Sequence, residues 1–291
     1  MSLPEPTHGD ADAEVCYRHP NRETGVTCQR CDRYVCGECG MQASVGVHCP
    51  ECRKGSSQQV YNSRNLPGQQ FVVTTALFAV NALVWVFTIV ALGSTVSRIG
   101  QDALQYSTDG QRIADGELWR VFSGGFLHNG IFHIGFNMYL LWQLGRQLER
   151  ELGPKEFGLA YVVSLVGGSL GAVLLTPLTP VVGASGAVFG LIAMTVLFYR
   201  SRGIGLFDTG LGFLVLINFF YSFQGGVSLG GHLGGAVVGL VLGALIFGFG
   251  PADPPLIEAG NKRLMIIAAL GVLLVGATYA ASLTWQNPLF G

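Results

Sequence analysis

Two residues of this chain stand where a hydroxyl and an imidazole could act together. Ser185 lies in Gly183-Ala184-Ser185-Gly186, inside a run from Phe157 to Tyr199 that holds no Asp, Glu, Lys or Arg. His232 lies in a second uncharged run, from Thr209 to Ala252. Glycine and serine also serve close packing of membrane helices, so the tetrapeptide alone defines no site. The histidine shifts the balance, because an ionisable side chain within an apolar span is costly and marks function. Ser185 as nucleophile and His232 as its general base would form a dyad for acyl transfer. Neither helical stretch holds an Asp or Glu, so neither supplies an acid to orient the histidine.

A third polar group precedes these. A helix opening with His128, His133 and Asn137 puts the last two on one face, four residues apart. Each singly would serve as an interhelical hydrogen-bonding residue. Together, with the free N–H of Ser185 at a helix start, they are donors of the kind that hold a developing oxyanion. Glycines supply the approach. Gly235, Gly239 and Gly243 follow His232 along one helical face, and Gly186 and Gly190 form a matching stripe beside Ser185 and Phe189. Phe189, one turn beyond the serine, would lie against the imidazole.

The elements that carry these residues are membrane helices. The 291-residue chain is 49% hydrophobic and 12% charged, with 42 glycines, which marks an integral membrane protein with a small soluble part. Its first 50 residues contain no apolar stretch of the kind that forms a secretory signal. Apolar spans at 71–93, 127–149, 157–176, 185–200, 207–223, 232–250 and 264–285 predict seven helices. Breaks fall at Thr176 to Pro180, at Gly225-Gly226 and at Pro251 to Pro255. Arg53, Lys54 and Arg64 precede the first span, and Arg146, Arg150, Lys155, Arg200, Arg202, Lys262 and Arg263 occupy alternate connections. By the positive-inside rule the N-terminus is cytoplasmic and the C-terminus extracytoplasmic, in a multi-pass protein of the cell membrane. The loop from Ser94 to Phe126 is then external, and its Trp119-Arg120 pair suits the headgroup zone. Counting about 1.5 Å per residue from the cytoplasmic helix ends puts Ser185 at roughly 21 Å, and His232 and His133 at roughly 26 Å. All lie in one layer toward the outer face of a core about 30 Å thick.

All seven cysteines lie between Cys16 and Cys52. Cys16 and His19, Cys28 and Cys31, Cys36 and Cys39, and Cys49 and Cys52 are four pairs, each spaced to grip one tetrahedral metal. An odd cysteine count in a cytoplasmic head argues against disulfides. Eight ligands make two closed sites, so two Zn2+ ions are expected, structural rather than catalytic, with no cofactor for the dyad. Spacing alone leaves open which pairs share a metal, and whether His48 replaces a neighbour. The order resembles the B-box zinc finger, which implies that Cys16, His19, Cys36 and Cys39 hold one ion and Cys28, Cys31, Cys49 and Cys52 the other. Arg22, Arg30 and Arg33 are interspersed with Glu23, Asp32 and Glu38, so no basic stripe points to nucleic acid. A cytoplasmic protein partner is the expected role of the head.

Over residues 71–250 the chain resembles the rhomboid family of intramembrane serine proteases. The likeness rests on Trp119-Arg120, the His128, His133, Asn137 set, Gly183-x-Ser185-Gly186, and His232 ahead of its glycines. It implies an all-α membrane fold of six helices plus one, with Ser185 and His232 catalytic and His133 and Asn137 in the oxyanion hole. Gly183, Gly186, Phe189, His128, Arg120 and Glu149 would be supporting residues. Two positions depart from the common pattern: Phe189 where many members have Tyr, and Gly231 where many have Ala. Neither is a proton-transfer group. The expected activity is hydrolysis of peptide bonds in or near transmembrane segments of protein substrates within the lipid bilayer, with the 224–231 loop as a cap and the fifth helix as a side entrance. The competing reading is a catalytically silent rhomboid-like adaptor. The expected organisation is a disordered tail (1–14), a two-zinc B-box-like domain (15–53), a linker (54–70), the rhomboid core (71–250) and a seventh helix (251–291).

Overall fold

The computed structural model describes residues 14–43, 45–54, 70–222, 227–251 and 253–285. The expected disordered tail, the linker and the tip of the expected 224–231 cap fall almost wholly outside the described residues. The chain forms two compact units, Met1–Gln69 and Gln70–Gly291.

The first unit is a cysteine-centred knot. Strand β1 (Val15–Cys16) pairs antiparallel with β2 (His19–Glu23), and β3 (Met41–Gln42) with β4 (Val47–His48), followed by the short helix α1 (Pro50–Lys54). Tight turns close on the ligand pairs: the Asp32 and Cys31 N–H groups both donate to the Cys28 carbonyl, and Cys39 and Gly40 both donate to Cys36. Its buried centre consists of Cys16, Cys28, Cys36, Cys39 and Cys49 with Val35. So small an apolar centre cannot offset the chain entropy of ordering the unit, which therefore needs a staple.

The second unit is all helical. Helix α2 (Val72–Ala91) leads into an excursion carrying the short helices α3 (Gln101–Leu104), α4 (Gly110–Ala114) and α5 (Arg120–Ser123). Then follow α6 (Ile131–Leu152), α7 (Pro154–Leu175), α8 (Ser185–Ser201), α9 (Leu211–Tyr221), α10 (Leu229–Phe247) and α11 (Asn261–Thr284). Among the described residues, a longer helix therefore stands at each expected span. Of these, α2, α7, α10 and α11 are long and apolar enough to cross a membrane. Their outward sides carry exposed Leu83, Val90, Val237, Met265, Val272 and Leu273, the surface lipid would cover. Helix α9, at 11 residues, reaches about 16 Å and falls short of the core thickness.

Local chemistry sets the ends. Glu149, near the end of α6, accepts from the N–H groups of Val73 and Thr74 at 2.9 and 2.8 Å and from the Thr74 hydroxyl at 2.7 Å. The carboxylate thus satisfies orphan donors at the positive start of α2. Gly153 at φ +76° and Pro154 in the first turn reverse the chain between α6 and α7. Arg263 of α11 pairs with Glu156 of α7 in a nearly buried ion pair that fastens the last helix to the bundle.

Helix α10 lies against α7 and α8 with almost no side chain between backbones. A Cβ on Gly235 would sit 1.9 Å from the Gly186 carbonyl oxygen, one on Gly239 2.2 Å from that of Gly190, and one on Gly234 2.2 Å from that of Gly167. The blocking atoms are backbone and cannot rotate away. The Gly235→Ala and Gly239→Ala variants should each lose about 3 kcal/mol or more. Thermal denaturation in detergent, followed by helical ellipticity, checks this.

Candidate active site and candidate metal centres

Ser185 is the first residue of α8, so its N–H has no acceptor within the helix. The chain reaches it through Gly183, whose φ of +124° suits glycine. A Cβ at Gly183 would also lie 2.7 Å from Cε1 and Nε2 of His133. The approach is anchored from the excursion: Thr108 and Val181 form an antiparallel bridge, and the Gly183 N–H donates to the Gly124 carbonyl at 2.9 Å.

His232 stands in the first turn of α10, which starts three residues earlier than its apolar span suggests. The cause is a cap: the Ser228 hydroxyl accepts from the Gly231 N–H, so Leu229, Gly230 and Gly231 already belong to the helix. The His232 ring stacks on Phe189 with centroids 4.0 Å apart and planes 15° apart. Ser185, His232, Phe189, His133 and Asn137 all line one cavity of about 500 Å³.

The His133 tautomer follows from its neighbour. The Asn129 N–H donates to His133 Nδ1 at 3.2 Å, so that nitrogen is unprotonated and Nε2 carries the hydrogen. His133 is therefore a donor on the side near Gly183. Asn137 donates one amide hydrogen to the His133 carbonyl at 2.9 Å and keeps a second.

Two expectations change. His128 lies before α6, not on it, because Gly130 at φ +89° delays the helix to Ile131. Its ring packs edge-on against His133 with centroids 5.1 Å apart. Arg120 is turned into the protein and not outward as an anchor: it is 2% exposed, bonded to Glu117 at 2.7 Å and to the Ser107 carbonyl at 3.2 Å. Only Trp119, at 44% exposure, faces outward, with the Arg120 guanidinium over its ring. Gly186 and Glu149 act on packing and capping, as described above.

One residue in contact with His232 escaped the sequence reading. The Ser222 hydroxyl, just past α9, lies 2.6 Å from His232 Nδ1.

In the first unit the ligand pairs interleave. Cys16, His19, Cys36 and Cys39 form one group and Cys28, Cys31, Cys49 and Cys52 the other, with ligand atoms in each within 4.8 Å of one another. His48 belongs to neither group. His19 Nδ1 lies 3.4 Å from both Cys36 and Cys39 Sγ, and Cys31 and Cys49 Sγ are 3.8 Å apart. A tetrahedron with metal–sulfur arms of about 2.3 Å has edges of about 3.8 Å, so both groups fit a metal ion. Arg33 donates to Cys31 Sγ at 3.3 Å, and its guanidinium holds that thiol down at about 6. Arg22 approaches Cys36 Sγ.

The sequence comparisons agree with this architecture. The rhomboid domain family pattern matches residues 115–249. The rhomboid protein YdcA of Bacillus subtilis (strain 168) is 33% identical over 183 residues, covering 60% of this chain and 88% of that protein. The chain belongs to the rhomboid family. Rhomboid protease GluP of the same organism is 32% identical over 171 residues, or 57% of this rhomboid but only 32% of GluP. RHOMBOID-like protein 1 of Arabidopsis thaliana is 37% identical over 134 residues, covering 44% of this rhomboid and 34% of that protein. The chain thus spans about a third of the length of these two relatives. It is a membrane protein of a family with members named as proteases, and its Cys and His groups are placed to bind metal.

In this rhomboid, Gly183 has both the backbone and the space that only hydrogen tolerates. Gly183→Ala should lower the denaturation temperature in detergent, whereas Gly135→Ala, where a Cβ meets nothing within 4 Å, should not.

Proposed function

We propose that this rhomboid is an intramembrane serine protease that hydrolyses peptide bonds in or near transmembrane segments of other membrane proteins. The observation that carries the reading is the convergence of Ser185, His232, His133 and Asn137 on one cavity, with the imidazole stacked one helical turn from the serine. Ser185 is the nucleophile. His232 takes its hydroxyl proton as the oxygen attacks the scissile carbonyl, and the imidazolium then protonates the leaving amine. Water, deprotonated by the same imidazole, releases the acyl group. The oxyanion accepts from the Ser185 N–H, the His133 Nε2–H and the spare hydrogen of Asn137, donors fixed before the charge develops.

The basic connections support a cytoplasmic N-terminus and an extracytoplasmic C-terminus. Residues 15–53 then form a cytoplasmic, B-box-like module whose two ligand groups would hold structural zinc, and 71–250 form the protease core, followed by a seventh helix at 251–291. When bound, zinc supplies cross-links that offset the chain entropy of the small head. The head's own surface is where a cytoplasmic protein partner would bind.

The test is cleavage of a tagged single-pass substrate in liposomes. Ser185→Ala and His232→Ala should each reduce product by at least about 1000-fold, and a fluorophosphonate should label the wild type but not Ser185→Ala. Equal product from wild type and Ser185→Ala would overturn the assignment. Elemental analysis should find two zinc ions per chain, and Cys36→Ser should reduce the content while leaving Ser185 labelling intact.

A further inference from the structure

Stacking on Phe189 sets the plane of the His232 ring, but it does not decide which nitrogen carries the proton. A base for Ser185 needs an unprotonated nitrogen facing the cavity. In a triad, a carboxylate on the other nitrogen makes that choice. Among the described residues, no Asp or Glu is bonded to His232.

The contact at Nδ1 is Ser222. Its Oγ lies 2.6 Å from Nδ1 and also 2.8 Å from the carbonyl oxygen of Asn218, one turn back. A hydroxyl has one hydrogen, and a carbonyl oxygen can only accept. With that hydrogen on the Asn218 carbonyl, the bond that continues the helical pattern of α9, the lone pair left on Oγ faces Nδ1. That contact is a hydrogen bond only if Nδ1 donates. Ser222 is 3% exposed and His232 4%, so water does not compete at this end of the ring.

We infer that Ser222 is the positioning residue of this site: anchored by the Asn218 carbonyl, it holds His232 as the Nδ1–H tautomer and leaves Nε2 as the base. This rests on the assignment of Ser185 and His232 as the dyad. As the ring takes the serine proton, the Nδ1–H bond becomes charge-assisted and strengthens, so Ser222 also favours the imidazolium. A neutral oxygen does this less strongly than a carboxylate.

The experiment pairs kinetics with nitrogen NMR of histidine-labelled protein, assigned with His232→Ala. Wild type should show His232 protonated at Nδ1, and Ser222→Ala should lose that preference. Ser222→Ala should also lower kcat by about 10- to 100-fold with KM within about two-fold, and Ser222→Thr, which keeps the hydroxyl, should recover most of the loss. An Nε2–H wild-type ring, an undiminished kcat in Ser222→Ala, or equal loss in the Ala and Thr variants with the tautomer intact would overturn the inference. Full product from Ser185→Ala would instead sink the protease reading, and the tautomer measurement would still decide the role of Ser222.

Discussion

The site depends on backbone touching backbone. With Gly235 against the Gly186 carbonyl and Gly239 against that of Gly190, α8 and α10 approach closer than any pair of side chains would permit. In a lipid environment, apolar burial gives helices little reason to associate, because lipid tails are as apolar as leucine. Close packing must supply the attraction, and each contact of this kind is lost if a methyl intervenes. The same closeness is what lets a serine on one helix and an imidazole on the other line one cavity, with the Phe189 ring stacked on the imidazole.

A second constraint comes from the excursion between α2 and α6. It does not simply connect spans. Its Thr108 pairs with Val181, its Gly124 carbonyl receives the Gly183 N–H, and its buried Arg120 ties Glu117 to the Ser107 carbonyl. The hydrogen bonds that a short extended segment within a helical bundle requires are thereby met within protein. This fixes the entry to α8 and the orientation of the Ser185 N–H.

The helices, the glycine stripes and the polar residues that line the cavity could be read from the sequence because each is a periodic or an exceptional feature: charge-free runs, glycines every fourth residue, histidines among leucines. The candidate metal ligands were equally visible, and their interleaving, which the likeness to the B-box finger implied, could not come from pair spacing alone. Pair spacing describes one turn of chain, whereas sharing depends on how the β1–β2 and β3–β4 hairpins fold back on each other. Arg120 misled because a tryptophan beside an arginine looks like an interfacial anchor. One of its two acceptors is a backbone carbonyl 13 residues earlier, which no side-chain pattern reveals. Ser222 was invisible for a similar reason. A serine bonded to the carbonyl four residues back is a common helical habit, and its second contact is to a ring on the next helix, a pairing that sequence spacing does not specify.

Two histidines face one cavity, and the proposed chemistry asks opposite things of them. His133 must donate and His232 must accept, though the rings are identical. A backbone N–H from Asn129 occupies Nδ1 of the first, which forces its proton to Nε2. A hydroxyl already committed to the Asn218 carbonyl sits at Nδ1 of the second, which draws its proton the other way. Neither choice needs a charged partner, and a charge would be expensive in so buried a place. Neutral groups of fixed direction therefore do here what a buried carboxylate does in a water-soluble triad, and the division of labour is set by which end of a peptide bond each ring ultimately answers to.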